Sequence, residues 1–320
     1  MILVTGGSGF VGAALVPILA ASTERLCVLT RRPGGGSQSV ELRTGDLLDA
    51  ATLTTALRDV TTLIHLAAAL PRVGVDFGIM RRINVDGTRN LAATAISAGV
   101  KRFIHVSSAG VYGDRGELQP ANEQTTPTPQ TAYERTKLDA EHVVTEACRN
   151  SSMSLVILRP TGIFGPGRDS TLHFYKQVAH RAVWIHGPSR VIVHPTYVGD
   201  LVQAILLTLT SPMSERTVFN IAGNESLDYR ELIARIGRRI GVRTRQVRIP
   251  AQPTLAIAKA AMVAARAIGH SASSLERIQQ RVINRSVDTS LARQVLGFTP
   301  SPLEDGIDVT IDWARRAGRL

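Results

Sequence analysis

Ile2-Leu3-Val4-Thr5-Gly6-Gly7-Ser8-Gly9-Phe10-Val11-Gly12-Ala13 is the stretch that decides the fold of this 320-residue chain. Residues 1–4 are an apolar run, the glycines follow without a break, and an apolar helix pattern occupies 13–21. The order is strand, tight turn, helix. Gly6, Gly9 and Gly12 have the spacing GxxGxxG: Gly6 makes the turn, Gly9 lets the backbone approach a pyrophosphate, and Gly12 lets the helix lie close to the strand. The N-terminus of the helix that follows offers free N–H groups and the positive end of its dipole to the phosphates, with Phe10 and Val11 of the loop counted among the cofactor-binding residues. A glycine triplet alone is a weak signal; one that closes a strand and opens a helix is specific.

Outward from this stretch the alternation continues. Strand patterns at 26–30, 41–44, 62–66, 102–107 and 155–159 are separated by helical patterns, notably at 50–57, 79–98 and 132–150. That predicts an α/β fold of the Rossmann type, a doubly wound parallel sheet covered on both faces, with ligands beyond the carboxyl ends of the strands. After residue 159 the pattern loosens at Gly165-Pro166-Gly167 and Gly187-Pro188; 198–209 reads as a helix and 217–222 as a strand able to rejoin the sheet. From about residue 226 the chain reads as mostly helical and arginine-rich. The expected division is a dinucleotide-binding domain at 1–164, to which 191–222 returns, and a smaller, mostly helical substrate lobe at 165–190 and 223–320.

Composition narrows the function classes. With 44% apolar and 20% charged residues the chain reads as a soluble globular protein, and no run reaches the ~18–20 uncharged apolar residues of a membrane span. Residues 254–268 come nearest, but Lys259 and Arg266 interrupt them; a lid helix on the substrate pocket is expected there, with an interfacial helix as the alternative. No basic region precedes Ile2, so no signal peptide is expected and the expected compartment is the cytoplasm. Cys27 and Cys148 make neither a metal cluster nor a disulfide framework and read as packing residues; no metal is expected. The net charge of +11 raises the question of nucleic acid. Only four of the 37 basic residues are lysines, however, and the arginines are scattered with no dense block interleaved with aromatics. An anionic small-molecule ligand or a solvated surface fits that distribution better.

Tyr133 and Lys137 stand four apart at the start of a predicted helix and share one face, and Ser107-Ser108 closes the preceding strand. A tyrosine serves as acid or base in hydride chemistry if its pKa is lowered. A lysine one turn away supplies charge for that, and a serine hydroxyl can hold the reacting oxygen.

With these residues the chain resembles the extended short-chain dehydrogenases/reductases, the NAD-dependent epimerase/dehydratase group. The motifs that carry the resemblance are TGGSGFVG at 5–12, GDL at 45–47, HLAAA at 65–69, the NVDGT segment from Asn84, SSAGVYG at 107–113, YERTK at 133–137, RPTGIFGPG at 159–167, HPTYVGDL at 194–201 and the tail VDTSLARQVLGFTPSPLEDGI at 287–307. The resemblance implies that Tyr133 is the general acid/base, Lys137 its electrostatic partner and ribose ligand, and Ser108 the catalytic hydroxyl. It places Asn84 near the cofactor, Asp46 and Leu47 beside the adenine, Leu66, Ala67 and Ala68 along the phosphate and ribose edge, and Pro160 and Ile163 at the nicotinamide. It also implies a homodimer.

Cofactor choice has a physical basis. The carboxylate that grips an adenosine 2′-hydroxyl lies ~20 residues beyond the glycines, at the end of the second strand. Here Arg31 stands at that place, followed by Arg32, and both suit a 2′-phosphate. NADP is therefore expected, with NAD as the alternative. For the substrate two readings stay open. Gly162 stands where family members acting on nucleotide sugars often carry a diphosphate-binding asparagine, whereas Arg190 lies where they often place a phosphate-binding arginine; Arg168, His173 and His186 could also line an anionic pocket. RPTGIFGPG and HPTYVGDL look closer to the 3β-hydroxysteroid-dehydrogenase and ketone-reductase branch. The expected function is interconversion of a secondary alcohol and a ketone. The alternatives are a nucleotide-sugar 4-epimerase or 4-ketoreductase and, against the presence of Ser108, Tyr133 and Lys137, a non-catalytic dinucleotide-sensing regulator.

Overall fold

The apolar runs become strands buried on both faces, as parallel sheets require. In a computed structural model the described residues are 1–22, 25–32, 40–71, 74–114, 119–180, 182–186, 191–212, 216–249 and 285–320. The chain runs β1 (Ile2–Thr5), α1 (Phe10–Ser22), β2 (Leu26–Thr30), β3 (Glu41–Thr44), α2 (Ala50–Ala56), β4 (Thr62–His65), α3 (Phe77–Arg81), α4 (Gly87–Ser97), β5 (Arg102–Val106), α5 (Ala132–Cys148), β6 (Ser154–Pro160), β7 (Ile163–Phe164), α6 (Asp169–Ala179), β8 (Ala182–His186), β9 (Ile192–Val193), β10 (Thr196–Tyr197), α7 (Val198–Thr210), β11 (Thr217–Ile221), β12 (Leu227–Asp228), α8 (Tyr229–Ile240), β13 (Arg245–Ile249), α9 (Ser290–Leu296) and α10 (Leu303–Arg316).

Seven strands form one parallel sheet in the order β11-β6-β5-β4-β1-β2-β3. Successive residues serve opposite faces. Leu3, Cys27, Leu63, Phe103 and Leu155 enter one core with Leu53, Leu91 and Val144, while Val4, Val28, Ile64, Ile104 and Val156 enter the other with Leu15, Leu201 and Ile205. Interior strand β6 is buried along its whole length, whereas edge strand β3 is not. Cys27 and Cys148 are buried, and burial pushes both thiols up to about 11, as inert packing residues require.

A third core joins α6, β8, β12, α8 and α10 through Tyr175, Val178, Val183, Ile185, Leu227, Ile233, Ile236, Leu303, Ile307 and Ile311. The segment between α8 and α10 is not all part of it: α9 lays Ala292 and Leu296 into the core of the large sheet, with Phe298 just beyond. The single helix expected at 79–98 is α3, a π-helical turn at Arg82–Asp86 and α4. Among the described residues no helix is long and apolar enough to cross a membrane, and no His, Cys, Asp and Glu group could hold a metal. Residues 254–268 lie outside the described residues.

Candidate active site

The glycine loop is a steric requirement. Gly6 has φ +72°, and a Cβ there would lie 2.7 Å from the Ala67 amide nitrogen. A Cβ on Gly12 would lie 2.4 Å from the Gly6 carbonyl oxygen. Both are below any real Cβ contact, so only glycine brings the β1 turn against the end of β4 and into the first turn of α1. Leu66, Ala67 and Ala68 follow β4 at this edge, with the Leu66 amide on the Thr5 carbonyl (3.2 Å) and the Ala67 amide on Thr5 Oγ1 (3.3 Å). Val11 packs on the core behind the loop.

Behind the loop one directed chain of hydrogen bonds sets a histidine tautomer. Thr88 Oγ1 donates to the Asn84 carbonyl (2.6 Å), so it accepts from His65 Nε2 (3.0 Å); His65 Nδ1 then accepts from Thr5 Oγ1 (2.7 Å). Burial holds His65 neutral, pushed down to about 3, with Lys137 adding to the shift. The π-helical turn carries Asn84 inward. Its Oδ1 accepts from the Ala69 amide (2.6 Å) and its Nδ2 donates to the Ala69 carbonyl (3.1 Å) and to Thr136 Oγ1 (3.0 Å). Asn84 thereby pins the end of β4 to α5, the helix of Tyr133 and Lys137.

The two serines after β5 have different tasks. Ser107 is buried and donates to Glu141 Oε1 at 2.5 Å, whereas Ser108 is half-buried and its Oγ accepts from the Gly110 amide (3.0 Å), capping the 3₁₀ turn Ala109–Tyr112. Lys137 is buried and its Nζ donates to the Val106 carbonyl (2.8 Å). Burial pushes the ammonium down to about 8, against the pull of Glu141. Burial pushes Tyr133 up to about 12; Arg168 and Arg285 oppose this and Glu134 reinforces it. The cations that bear on the tyrosine are therefore two arginines that lie far from it in sequence.

Below the serines is a buried network that sequence reading missed. Glu141 pairs with Arg159 through three contacts of 2.6, 3.0 and 3.2 Å; Arg159 Nη1 donates to the Tyr112 hydroxyl (2.8 Å), which donates to Asn220 Oδ1 (2.9 Å). Arg159 opens the RPTGIFGPG motif and Tyr112 sits in SSAGVYG, so their motifs were legible; their pairing was not.

The remaining candidates spread along the same edge. Pro160 ends β6 and is buried. Gly162 is exposed, and among the described residues none beyond its chain neighbours comes within 4 Å of where a Cβ would stand. Arg168 donates to the Ile163 carbonyl and to Ser170 Oγ (2.9 Å), and its guanidinium lies 5.4 Å over the Phe10 ring in the glycine loop. Asp46 accepts from the Leu48 amide (2.9 Å), and buried Leu47 lies against Gly87. Arg31 and Arg32 stand exposed just beyond β2. His173 contacts Gln177 on the surface of α6. Arg190 lies outside the described residues.

The pattern that defines the NAD dependent epimerase/dehydratase family matches residues 2–222. The chain belongs to this family. Across 98% of its length it is 26% identical to a Candida albicans sterol-4-alpha-carboxylate 3-dehydrogenase, decarboxylating, of which it covers 97%. It is 27% identical to the Vibrio cholerae UDP-glucose 4-epimerase over 78% of each chain. Among solved structures, MoeE5 in complex with UDP-glucuronic acid and NAD superposes with a TM-score of 0.79 at 28% identity, over 99% of both chains. The relatives of this family member thus include both dehydrogenases and epimerases.

Proposed function

We propose that this protein is an NADP-dependent oxidoreductase that interconverts a secondary alcohol and a ketone, with Ser108, Tyr133 and Lys137 as its catalytic residues. The observation that carries the reading is the division of labour at the end of β5. Ser107 is committed to Glu141, Ser108 stays at the edge, and Lys137 is held on the Val106 carbonyl one helical turn from Tyr133. The glycine loop, at which any Cβ on Gly6 or Gly12 would collide, fits a dinucleotide pyrophosphate; Asp46, Leu47, Asn84, Pro160 and Ile163 would border the rest of the cofactor. When bound, the cofactor supplies or accepts the hydride at its nicotinamide ring.

At neutral pH Tyr133 is a neutral phenol, so in the reducing direction it gives its proton to the carbonyl oxygen while the Ser108 hydroxyl holds that oxygen. Lys137 keeps its proton below about pH 8 and places positive charge at the same edge. In the oxidising direction Tyr133 must first release its own proton to solvent and then, as phenolate, take the hydroxyl proton; the positive charge of Arg168 and Arg285 opposes, without cancelling, the burial that keeps it protonated. Arg31 and Arg32 suit a 2′-phosphate, since a guanidinium pairs bidentately with it.

Open space at Gly162 favours an uncharged or bulky ketone over a diphosphate held by a side-chain amide there. The second reading, a nucleotide-sugar 4-epimerase or 4-ketoreductase, draws support from Arg168 beside Tyr133 and from the likeness to MoeE5. One experiment separates them. The protein is incubated with NADP, and in parallel with NAD, against a panel of 3β-hydroxysteroids and against UDP-glucose, and absorbance is followed at 340 nm together with sugar products. Steroid-dependent NADPH formation supports the oxidoreductase. Conversion of UDP-glucose with no net absorbance change, and a large KM increase in Arg190→Ala, establishes the epimerase instead.

A further inference from the structure

Glu134 is buried, yet its carboxylate is one residue from Tyr133. It stands at the third position of α5 and closes a capping box: Thr131 Oγ1 accepts from the Glu134 amide (3.2 Å), and Glu134 Oε2 accepts from the Thr131 amide (2.9 Å). Oε2 also takes the Gln130 amide (3.0 Å). That leaves Oε1, which a capping box does not need, and Arg285 Nη2 donates to it. The stem of the same side chain lies on the Ser108 turn. A Cβ on Gly110 would meet Glu134 Cγ at 3.0 Å and Ser108 Oγ at 3.1 Å.

Arg285 is itself fixed from both sides. Its amide donates to the Ile192 carbonyl (3.1 Å). The residues after it are held on Ala121, whose amide donates to the Ser286 carbonyl (3.0 Å) and whose carbonyl accepts from the Asp288 amide (2.8 Å). One carboxylate therefore joins three separate pieces of chain: the first turn of the tyrosine's helix, the turn that presents Ser108, and the 285–288 segment. The pair is buried on one side only, its side chains 1% exposed at Glu134 and 25% at Arg285, and taking the carboxylate out of water offsets much of the attraction, so stability alone does not explain its place beside the reacting groups. We propose that Glu134 and Arg285 are a positioning pair, which sets Tyr133 and Ser108 in register with each other and with the C-terminal part of the chain. The inference rests on Tyr133 being the acid/base of the proposed reaction.

The test uses Glu134→Gln and Arg285→Gln. A glutamine at 134 can keep its oxygen on the two backbone amides, so the cap survives, while its NH₂ faces the guanidinium and cannot accept from it. kcat is measured with the substrate that turns over in the 340 nm screen, together with KM, the Kd for NADP and Tm. A displacement of an ångström in a reacting group costs on the order of a hundredfold, so each variant should lose roughly tenfold or more in kcat. KM and Kd should stay within about twofold, the pattern of a defect confined to the transition state. The double variant should be no slower than the slower single one, since the two act as a unit, and Arg285→Lys should recover most of the rate. Two singles with near-parental kcat overturn the proposal. So do losses in kcat, Kd and Tm together that Arg285→Lys does not restore, which indicate a purely structural pair. Tyr133→Phe is measured beside them. If it turns over normally, the reading of Tyr133 fails and takes the pair with it; if it is inactive while both glutamine variants are fully active, only the pair fails.

Discussion

The two ends of the sheet's carboxyl edge are built in opposite ways. Where β5 meets α5, polar groups are buried and held: Lys137 on the Val106 carbonyl, Ser107 on Glu141, Glu141 on Arg159, Arg159 on Tyr112. At the end of β2, Arg31 and Arg32 stand exposed. Proton transfer needs atoms held to a fraction of an ångström, which only a packed and hydrogen-bonded surround provides. Choosing a cofactor by the charge of one phosphate needs only a guanidinium within reach, and in the proposed reading the exposed arginines on the rim would supply it.

The sharpest way to break this contrast is Tyr133→Phe. Removing the phenol from the held end should lower turnover ~10²–10⁴-fold while NADP still binds. Turnover assays and calorimetric titration of the cofactor check both halves, and a variant near parental rate would put the acid/base elsewhere. Glu141→Gln addresses the network rather than the chemistry. It leaves the Arg159 guanidinium buried without its counter-charge, with side chains only 5% and 1% exposed in the parent pair, and should cost ~3–5 kcal/mol in chemical denaturation. A loss below about 1 kcal/mol, the range of exposed pairs, would mean the held end is not held by this pair.

At the exposed end, Arg31→Asp should reverse the preference for NADP over NAD. A charged hydrogen bond contributes ~1.5–3 kcal/mol, so the parent preference should be roughly tenfold or more. Equal parental affinities for the two cofactors would reduce Arg31 and Arg32 to surface charges. The smallest effect concerns His105, whose two ring nitrogens have no hydrogen-bond partner among the described residues and whose ring lies 5.3 Å from that of His65. Burial lowers both histidines below their usual 6.5, His65 to about 3. As pH falls below about 6.5 the unfolded chain therefore takes up protons that the folded protein refuses, and stability is lost on acidification. His105→Leu should raise stability by ~1 kcal/mol at neutral pH and make the acid loss shallower. An unchanged acid slope in urea titrations at several pH values would show that His105 does not contribute to it.

Much of this site was legible before any coordinates. The glycine spacing, the alternation of patterns and the YxxxK face are local features whose periods reflect backbone geometry, and they placed the seven strands of the large sheet to within a residue or two but none of the short two-stranded pairs. Beside the Glu141–Arg159–Tyr112 pairing, three further things were not legible. The π-helical turn at Arg82–Asp86 adds a residue to one helical turn, and nothing in an apolar periodicity marks that; yet it carries Asn84 to Ala69 and Thr136. The Thr131-to-Glu134 capping box stands in the sequence as TxxE, but its second oxygen is spoken for by Arg285, 151 residues away. α9 returns to the large sheet through Ala292 and Leu296, a pairing of surfaces that no local pattern encodes.

The sequence by itself determined the family, the parallel sheet and the residues available for chemistry at its edge. Each depends on interactions within a few residues: turns that only glycine makes, helix faces, strand ends. The tertiary structure alone decided which of the two serines is committed to Glu141, which arginines bear on Tyr133 and which cation takes the second oxygen of Glu134. Those choices depend on burial and on charges brought together from distant parts of the chain. Both quantities arise only when the sheet has closed its two cores and the C-terminal segments have folded back onto its edge.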